Sequence, residues 1–233
     1  MGEGMKALVA ACLALGIGAA RADDVGRLRV LANEGDARAQ YDLGLAYQQG
    51  TAVRRDLVEA RRWWRKAADQ GHLASQYNMG ILYARGDGVT QDMAEAAQWF
   101  RRAADQGHAE AQYSLGVVFA TGDGGPRDMK EALSWWRKAA DQGHSEAQLN
   151  LGIAYARGDG IAQDRAEALR WYRASAMKGN VKAQYNLGVL YAKGDGVPQD
   201  REESARWLGM AAHQGYAPAA RLLKELENSG SGS

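Results

Sequence analysis

Three of the four histidines could supply imidazole ligands to a metal ion, because His72, His108 and His144 follow one another at intervals of 36 residues. A zinc site needs its donor atoms about 2 Å from one ion. Equivalent positions on helices that pack side by side are instead roughly 8–10 Å apart. We therefore predict no metal site, and we interpret these histidines as residues that cap turns.

A second candidate for chemistry is the segment Ser175-Ala-Met-Lys178, which matches the S-x-x-K nucleophile motif of penicillin-recognising enzymes. The S-D-N and K-T-G motifs that accompany it in those enzymes are absent from the chain. Alanine holds the serine's position elsewhere at the same interval, at Ala67, Ala103, Ala139 and Ala211. We therefore predict a small buried serine, no catalytic residue and no cofactor.

Gly-Asp-Gly turns at 86–88, 122–124, 158–160 and 194–196 resemble short calcium or phosphate loops. An EF-hand needs alternating oxygen donors along 12 residues and a bidentate glutamate. A dinucleotide loop needs a preceding strand. The sequence offers neither context, so we interpret these turns as ends of helices.

One polar stripe has no evident scaffold role. It runs along first helices of the repeating units, and its members are Asn78, Arg85, Ser114, Asn150, Arg157, Asn186 and Lys193. A carboxamide can donate to and accept from a peptide backbone at the same time. We therefore consider the stripe a binding surface for an extended acidic segment. The alternative is a solvated helix edge with no partner.

A fixed period places all of these residues. Tryptophan recurs at 36-residue intervals, at Trp63, Trp99, Trp135, Trp171 and Trp207. A period of 20–50 residues is the signature of a solenoid, in which each unit contacts only its neighbours. We expect these tryptophans, with their neighbours Trp64 and Trp136, to anchor the core.

Each unit is predicted to be a pair of helices of about 13 residues. In the second repeat, the first helix runs from about Leu73 to Arg85 and is apolar around most of its circumference, which is typical of a helix that packs between neighbouring helices. Gly80 within it suggests a close approach of two helix backbones. The second helix follows an Asp92–Glu95 capping box. Its predicted buried face is Ala96, Trp99, Phe100, Ala103 and Ala104.

The predicted fold is therefore all-α, a right-handed α/α superhelix of about five helical hairpins at 37–216. A capping half-repeat at 23–36 precedes the hairpins, and a capping helix at 217–227 follows them. The Gly/Ser-rich end at 228–233 is predicted to be a flexible tail.

The repeated pattern A-x-A-Q-Y-x-L-G-x-x-Y-x-x-G-x-G-V-x-x-D resembles the Sel-one-like repeat (SLR) family, 36-residue relatives of the tetratricopeptide repeat. The last unit matches at Ala183-Gln184-Tyr185, Leu187-Gly188, Tyr191, Gly194, Gly196-Val197, Asp200, Trp207 and Ala211-Ala212. The first repeat departs from the pattern, because Ala52 replaces the second glycine of its loop. The resemblance implies a non-catalytic scaffold that binds a protein or peptide partner in a concave groove lined by first helices.

The resemblance also carries an enzymatic alternative. Some relatives, the Helicobacter cysteine-rich proteins, are linked with β-lactam binding, which would make this chain an envelope hydrolase or a β-lactam-binding enzyme. Those relatives carry paired cysteines in each unit, whereas this chain has one cysteine, Cys12. We therefore favour the scaffold.

Charge and the first residues bear on partners and location. With 29 basic and 28 acidic residues, the chain lacks the basic field of a nucleic-acid binder. Lys6, the apolar run at 7–20 and the following Ala20-Arg21-Ala22 predict a signal peptide at 1–22, cleaved after Ala22. The run is too short for stable membrane insertion. We expect a bacterial periplasmic protein, with lipoprotein processing at Cys12 as the alternative.

Overall fold

The computed structural model describes residues 22–230, and this range contains twelve helices and no strand. The helices are α1 (Ala22–Asn33), α2 (Ala37–Gln49), α3 (Leu57–Asp69), α4 (Leu73–Arg85), α5 (Met93–Asp105), α6 (Ala109–Thr121), α7 (Met129–Asp141), α8 (Ser145–Arg157), α9 (Arg165–Met177), α10 (Val181–Lys193), α11 (Arg201–His213) and α12 (Ala217–Gly230). The predicted all-α array of 36-residue hairpins is confirmed. Helices α2 to α11 are all 13 residues long.

The helices form two compact units, one ending at Arg127 and one beginning at Asp128. In the first unit, α1 to α6 pack in chain order, each helix against the next. In the second unit, α7 to α12 do the same. Within each unit the packing is therefore between neighbours along the chain, as expected of repeated hairpins.

The first helices are buried on most sides, as predicted. Helix α4 buries Ser75, Gln76, Tyr77, Met79, Gly80, Ile81, Leu82 and Ala84. The reason for its glycine differs from the prediction, because an aromatic ring rather than a second backbone approaches it. A Cβ added to Gly80 would lie 2.5 Å from Cδ1 of Phe100. In the second unit, the same addition to Gly152 would lie 2.5 Å from Cδ1 of Tyr172.

The predicted end pieces differ from the structure in detail. In α1 of the predicted capping half-repeat, Val25 and Ala32 are buried, but Leu31 is 38% exposed. Helix α12 packs its leucines against the core around Leu208. It continues to Gly230, past the predicted end at 227 and into the predicted flexible tail. Apart from Ala22, the predicted signal peptide lies outside the described residues.

The histidines cap first helices, which confirms their predicted role. Nδ1 of His72 accepts the backbone N–H of Ser75 at 3.3 Å. His108 and His144 cap α6 and α8 in the same way, at 3.2 and 3.3 Å. Asn180 takes over the position in α10, where its Oδ1 accepts the N–H of Ala183 at 3.1 Å. A neutral imidazole and a carboxamide therefore perform the same task.

The second helices begin with half of the predicted capping box. Oδ1 of Asp92 accepts the N–H of Glu95 at 2.9 Å. The reciprocal bond from glutamate to the cap N–H is not made, because the N–H of Asp92 donates to the carbonyl of Tyr83 at 2.9 Å. Glu95 instead accepts the indole N–H of Trp99 at 2.9 Å. Asp92 therefore connects the two helices of one hairpin, and the reciprocal pair of bonds of a capping box does not form.

A row of buried glutamines connects consecutive hairpins. In every first helix from α2 to α10, a glutamine side chain donates at 3.0–3.2 Å to the carbonyl eight residues earlier, near the end of the preceding helix: Gln40, Gln76, Gln112, Gln148 and Gln184. Each bond satisfies a carbonyl that a helix terminus leaves without an intrahelical partner.

The glutamine oxygens are used by a second glutamine 30 residues later. Gln106 donates to Oε1 of Gln76 at 2.6 Å, and Gln214 donates to Oε1 of Gln184 at 2.8 Å. The fourth repeat departs from this scheme, because Lys178 stands where glutamine stands in the others. Oε1 of Gln148 is consequently buried without a hydrogen-bond partner among the described residues.

Substitution of Lys178→Gln is expected to stabilise the chain by about 1 kcal/mol, because the new amide can donate to the unsatisfied Oε1 of Gln148. The reverse change, Gln106→Lys, removes the donor from Gln76 and should cost about 1–3 kcal/mol. Urea unfolding followed by circular dichroism measures both. A Lys178→Gln variant no more stable than the parent would contradict the assigned role of this pair.

The pKa of the His72 imidazole is lowered by burial and by the cation of Arg38, against the opposing carboxylates of Asp42 and Asp36. The unfolded chain therefore takes up a proton near the ordinary value of about 6.5, before the folded chain does. Stability from this cap is fully present above that pH and declines as pH falls below it.

Substitution of His72→Asn should remove this acid sensitivity and keep the cap, since Asn180 already caps α10. The expected result is a free energy of unfolding that falls less between pH 7.5 and pH 5.5 in the variant than in the parent. Urea unfolding at both pH values makes the comparison. Identical decreases in the two proteins would show that His72 does not carry the effect.

Candidate functional site

In the second unit, the predicted stripe presents two carboxamides and two cations. Asn150 and Asn186 are half-buried on α8 and α10, and Arg157 and Lys193 are exposed in the last turns of the same helices. None of the four side chains makes a hydrogen bond or ion pair with another residue in the 22–230 range. The two hairpins thus repeat one pair of unused groups, an amide followed by a cation.

The stripe is less uniform in the first unit. Asn78 is half-buried and has no side-chain partner in the described part of the chain. Nη1 of Arg85 lies 3.8 Å from a carboxylate oxygen of Asp87. Ser114, predicted to belong to the same surface, is only 1% exposed, and its hydroxyl donates to the carbonyl of Glu110 at 2.7 Å. Its hydroxyl is therefore occupied within the helix and is poorly placed for a partner.

Tyr172 lies beneath part of the second-unit stripe. Its ring packs on Gly152 of α8. Burial raises the pKa of Tyr172 to about 12, and the positive charge of Arg157 acts in the opposite direction. The tyrosine therefore stays neutral at physiological pH, and its ring packs against α8.

The stripe asparagines differ from the buried glutamines in their hydrogen bonding. The buried glutamines and the stripe asparagines stand two residues apart on the same helices and carry the same functional group. The glutamine amides donate across helices, whereas Asn150 and Asn186 have no intramolecular partner among the described residues. Folding of the described chain therefore accounts for the glutamines but leaves the asparagine amides available.

Ser175, the candidate nucleophile, is fully buried. Its hydroxyl donates to the carbonyl of Ser145 at 2.7 Å, which confirms the predicted small packing serine. Lys178 ends helix α9 as its C-terminal cap. The arrangement gives a substrate no route to the hydroxyl.

Other predicted roles belong to the core. All seven tryptophans, including Trp64 and Trp136, are buried, as predicted.

Between residues 22 and 230, no cluster of three or more histidine, cysteine, aspartate or glutamate side chains has a geometry that could hold a metal ion. The same stretch contains no helix of sufficient length and hydrophobicity to span a bilayer.

One feature of the first unit was not predicted. A cleft of about 910 Å³ lies beside the loop between α2 and α3, and its lining includes Arg29, Tyr47, Val53, Arg54 and Arg55. A signal was present in the sequence, because this loop reads T-A-V-R-R where the second hairpin has D-G-V-T-Q. The substitutions remove an acid and introduce two bases.

Comparison with known families and structures follows the same division of the chain. The family model of the Sel1 repeat matches five consecutive segments, at residues 37–72, 73–108, 109–144, 145–180 and 181–216. Each segment begins with a first helix and ends at the turn after a second helix. No curated protein matches the chain.

Several solved structures are similar. A protective antigen of uropathogenic Escherichia coli strains with an SLR fold, c5321, is 37% identical with a TM-score of 0.86, over 88% of this chain and 44% of that one. This chain therefore spans less than half of that antigen. A Sel1 repeat protein from Oxalobacter formigenes is 34% identical with a TM-score of 0.80, over 87% of this chain and 80% of that one.

A putative Sel1 repeat protein from Klebsiella pneumoniae, 22% identical with a TM-score of 0.52 over 87% of this chain and 99% of that one, shares the fold. The five matched segments cover most of the sequence, and they coincide with the helical hairpins of the structure. This chain belongs to the Sel1 repeat family.

Proposed function

We propose that the protein is a non-catalytic scaffold that binds an extended, acidic segment of a partner protein along the stripe of first-helix side chains. Sel1 repeats typically mediate protein–protein interaction, and the second unit supplies the more complete form of the stripe. The observation that carries the proposal is the pair of half-buried amides, Asn150 and Asn186, which have no intramolecular partner among residues 22–230.

The spacing of these amides suits an extended backbone. Asn150 and Asn186 stand on the first helices of consecutive hairpins, α8 and α10, which both pack against α9. An extended chain advances about 3.3 Å per residue, so one segment of several residues could contact both amides. Each amide can donate to a carbonyl and accept from an N–H at once, which holds a backbone of any sequence.

The cations add a preference for acidic side chains. Arg157 and Lys193 follow the asparagines by seven residues on the same helices, so each hairpin adds one positive charge beside one amide. Complementary charges on a partner raise the association rate and oppose binding of basic competitors. The stripe thus combines a sequence-independent hold on the backbone with a selection by charge.

The alternative of a hydrolase or β-lactam-binding enzyme has less support. Its candidate nucleophile, Ser175, is fully buried and donates its hydrogen bond to Ser145. A nucleophile must be reachable by substrate and lie within reach of a base, and the position of Ser175 offers neither. We therefore retain the scaffold as the single proposed activity.

We further propose that the protein is exported to the periplasm of a bacterium. The support is the pattern of Lys6, the apolar run at 7–20 and the small residues before Asp23. The related Escherichia coli protein is described as a protective antigen, which fits a location outside the cytoplasm. The chain after Ala22 contains no cysteine, so packing rather than disulfide bonds would stabilise it there.

The double substitution Asn150→Ala with Asn186→Ala should weaken partner binding at least tenfold, because two amides lose their bonds to the partner backbone. The melting curve should change little, since neither amide has an intramolecular partner. A pull-down from the native envelope identifies the partner, and titration calorimetry with that partner gives the Kd. The matched control is Lys130→Ala with Ser134→Ala, two exposed residues of α7. Equal affinities of the stripe variant and the parent would exclude the stripe.

Export predicts that the chain expressed in a bacterium with a C-terminal tag is recovered from the periplasmic fraction with Asp23 as its first residue. Fractionation followed by N-terminal sequencing or intact mass measures this. The substitution Cys12→Ser should leave the result unchanged, whereas lipoprotein processing would require the cysteine. Recovery of the uncleaved chain from the cytoplasm would contradict export.

A further inference from the structure

Four parts of the chain line the cleft of the first unit. Arg29 comes from α1, Tyr47 from α2, and Arg54 and Arg55 from the loop that connects α2 to α3. The start of α3 completes the lining through Asp56, Leu57 and Glu59. The cleft, of about 910 Å³, lies within the size range of ligand pockets. It involves none of the stripe residues.

The loop of the cleft departs from the equivalent loops of the other hairpins in its charge. Where the second hairpin has Asp87, Thr90 and Gln91, the first has Thr51, Arg54 and Arg55. The following acids, Asp56 and Glu59, recur at the same positions in every hairpin. The charge of this loop is therefore higher by three than in the second, fourth and fifth hairpins, and higher by two than in the third, where Arg127 stands at the position of Arg55. The acids that every hairpin shares remain in place.

Two of the three guanidinium groups are held in position. Nη2 of Arg29 donates to the hydroxyl of Tyr47 at 2.9 Å. Nε of Arg55 donates to the carbonyl of Gln48 at 3.1 Å, which leaves its terminal nitrogens for other partners. Arg54 is exposed and makes no hydrogen bond or ion pair within residues 22–230. The cleft thus has two preordered cations and one that is free to close on a ligand.

The acids of the cleft form no ion pair with these arginines in the described part of the chain. Oδ1 of Asp56 accepts the N–H groups of Val58 and Glu59 at the start of α3, at 2.9 and 3.0 Å. Glu59 lies 3.4 Å from Nη1 of Arg62, which is outside the lining. The two carboxylates offset part of the charge of the three arginines, and the lining keeps a net charge of +1 for a ligand.

We propose that this cleft is a second binding site, and that it takes an acidic segment of a protein partner in which a carboxylate side chain stands next to an apolar one. The arginines can bind the carboxylate through paired N–H groups. The side chains of Val53, Leu57 and the Tyr47 ring supply an apolar surface beside them. A site of this kind selects a short peptide motif.

A long polyanion fits the molecule less well. The chain as a whole has a net charge of +1, so no extended basic field surrounds the cleft to hold a nucleic acid. A free phosphate would use the arginines but leave the apolar part of the lining without a contact. The combination of local charge and apolar surface therefore favours the peptide.

The test uses the full chain and a fluorescein-labelled octapeptide of alternating glutamate and leucine, followed by fluorescence anisotropy in 20 mM salt. The variant is Arg54→Thr with Arg55→Gln, which installs the residues of the second hairpin. Nε2 of Gln91 there donates to the carbonyl of Ala84 at 2.9 Å, so glutamine can replace the scaffold bond of Arg55. The matched control, Arg127→Gln with Lys130→Gln, removes two exposed charges elsewhere.

The parent and the control should bind the peptide saturably with the same Kd, and the cleft variant should bind at least tenfold more weakly. Arg54→Thr alone, at a residue that makes no hydrogen bond or ion pair within the described range, should give an intermediate loss and does not depend on refolding of the loop. A peptide with glutamine in place of glutamate should not compete.

Three results would overturn the proposal: no saturable binding up to 1 mM peptide, equal binding by the cleft variant, or displacement of the peptide by 1 mM inorganic phosphate. The last result would assign the cleft to a free oxyanion. Because the stripe is itself proposed to bind acidic segments, the same comparison is made in the Asn150→Ala with Asn186→Ala background. A difference in Kd between the cleft variant and the control in that background reports on the cleft and not on the stripe.

Discussion

The contact between a first-helix glycine and a large side chain of the second helix is the constraint on which the first, second, fourth and fifth hairpins depend. With no Cβ at Gly44, Gly80 or Gly152, the rings of Trp64, Phe100 and Tyr172 lie directly against the first helix. In the last hairpin, Leu208 takes the same position over Gly188. A glycine within a helix costs about 1 kcal/mol relative to alanine, and burial of a large apolar side chain outweighs that cost. The repeated spacing of helix and loop follows from this contact, because the contact determines where the two helices cross.

Some polar side chains of the repeat make hydrogen bonds that stabilise the fold, and others make none within the described residues. Aspartates cap the second helices. The first helices are capped by Asp36, by a histidine or by Asn180, and buried glutamines join one hairpin to the preceding helix. These bonds satisfy the backbone groups at helix ends, which is where an array of short helices has most of its unsatisfied donors and acceptors. Against this regular use, the amides of Asn150 and Asn186 stand out, because they recur with the period and yet have no intramolecular partner among the described residues.

Most of the fold was predictable from the sequence, since a fixed period, apolar faces and glycine or aspartate at helix ends specify hairpins locally. The bounds predicted for α4, Leu73 to Arg85, agree with the structure. Errors arose where a residue's role depends on which of several neighbouring groups its side chain contacts. Glu95 was assigned to a capping box but binds Trp99, and Gly80 was expected to face a backbone but faces a ring. Ser114 shares its repeat position with the asparagines, yet its shorter side chain bonds to its own helix at Glu110. Periodicity alone could not separate these cases, because it identifies equivalent positions without revealing what each side chain touches.

Departures from the period are therefore the most informative positions of a repeat protein. A residue that recurs in every hairpin is explained by a contact that every hairpin makes, and selection for stability is sufficient to retain it. A residue that breaks the pattern either loses that contact or gains another. Lys178 illustrates the loss, since it leaves Oε1 of Gln148 without a donor in the described chain. The first loop illustrates the gain, because Arg54 adds a cation to the cleft at a position that is threonine, proline or alanine in the other hairpins. Ala52 in the same loop adopts φ +58°, a left-handed conformation in which the equivalent residues Gly88, Gly160 and Gly196 carry no Cβ. A non-glycine residue there costs about 1–2 kcal/mol. The first loop thus combines added charge with a less favourable backbone, a combination that does not favour stability and that fits the proposed binding of a partner.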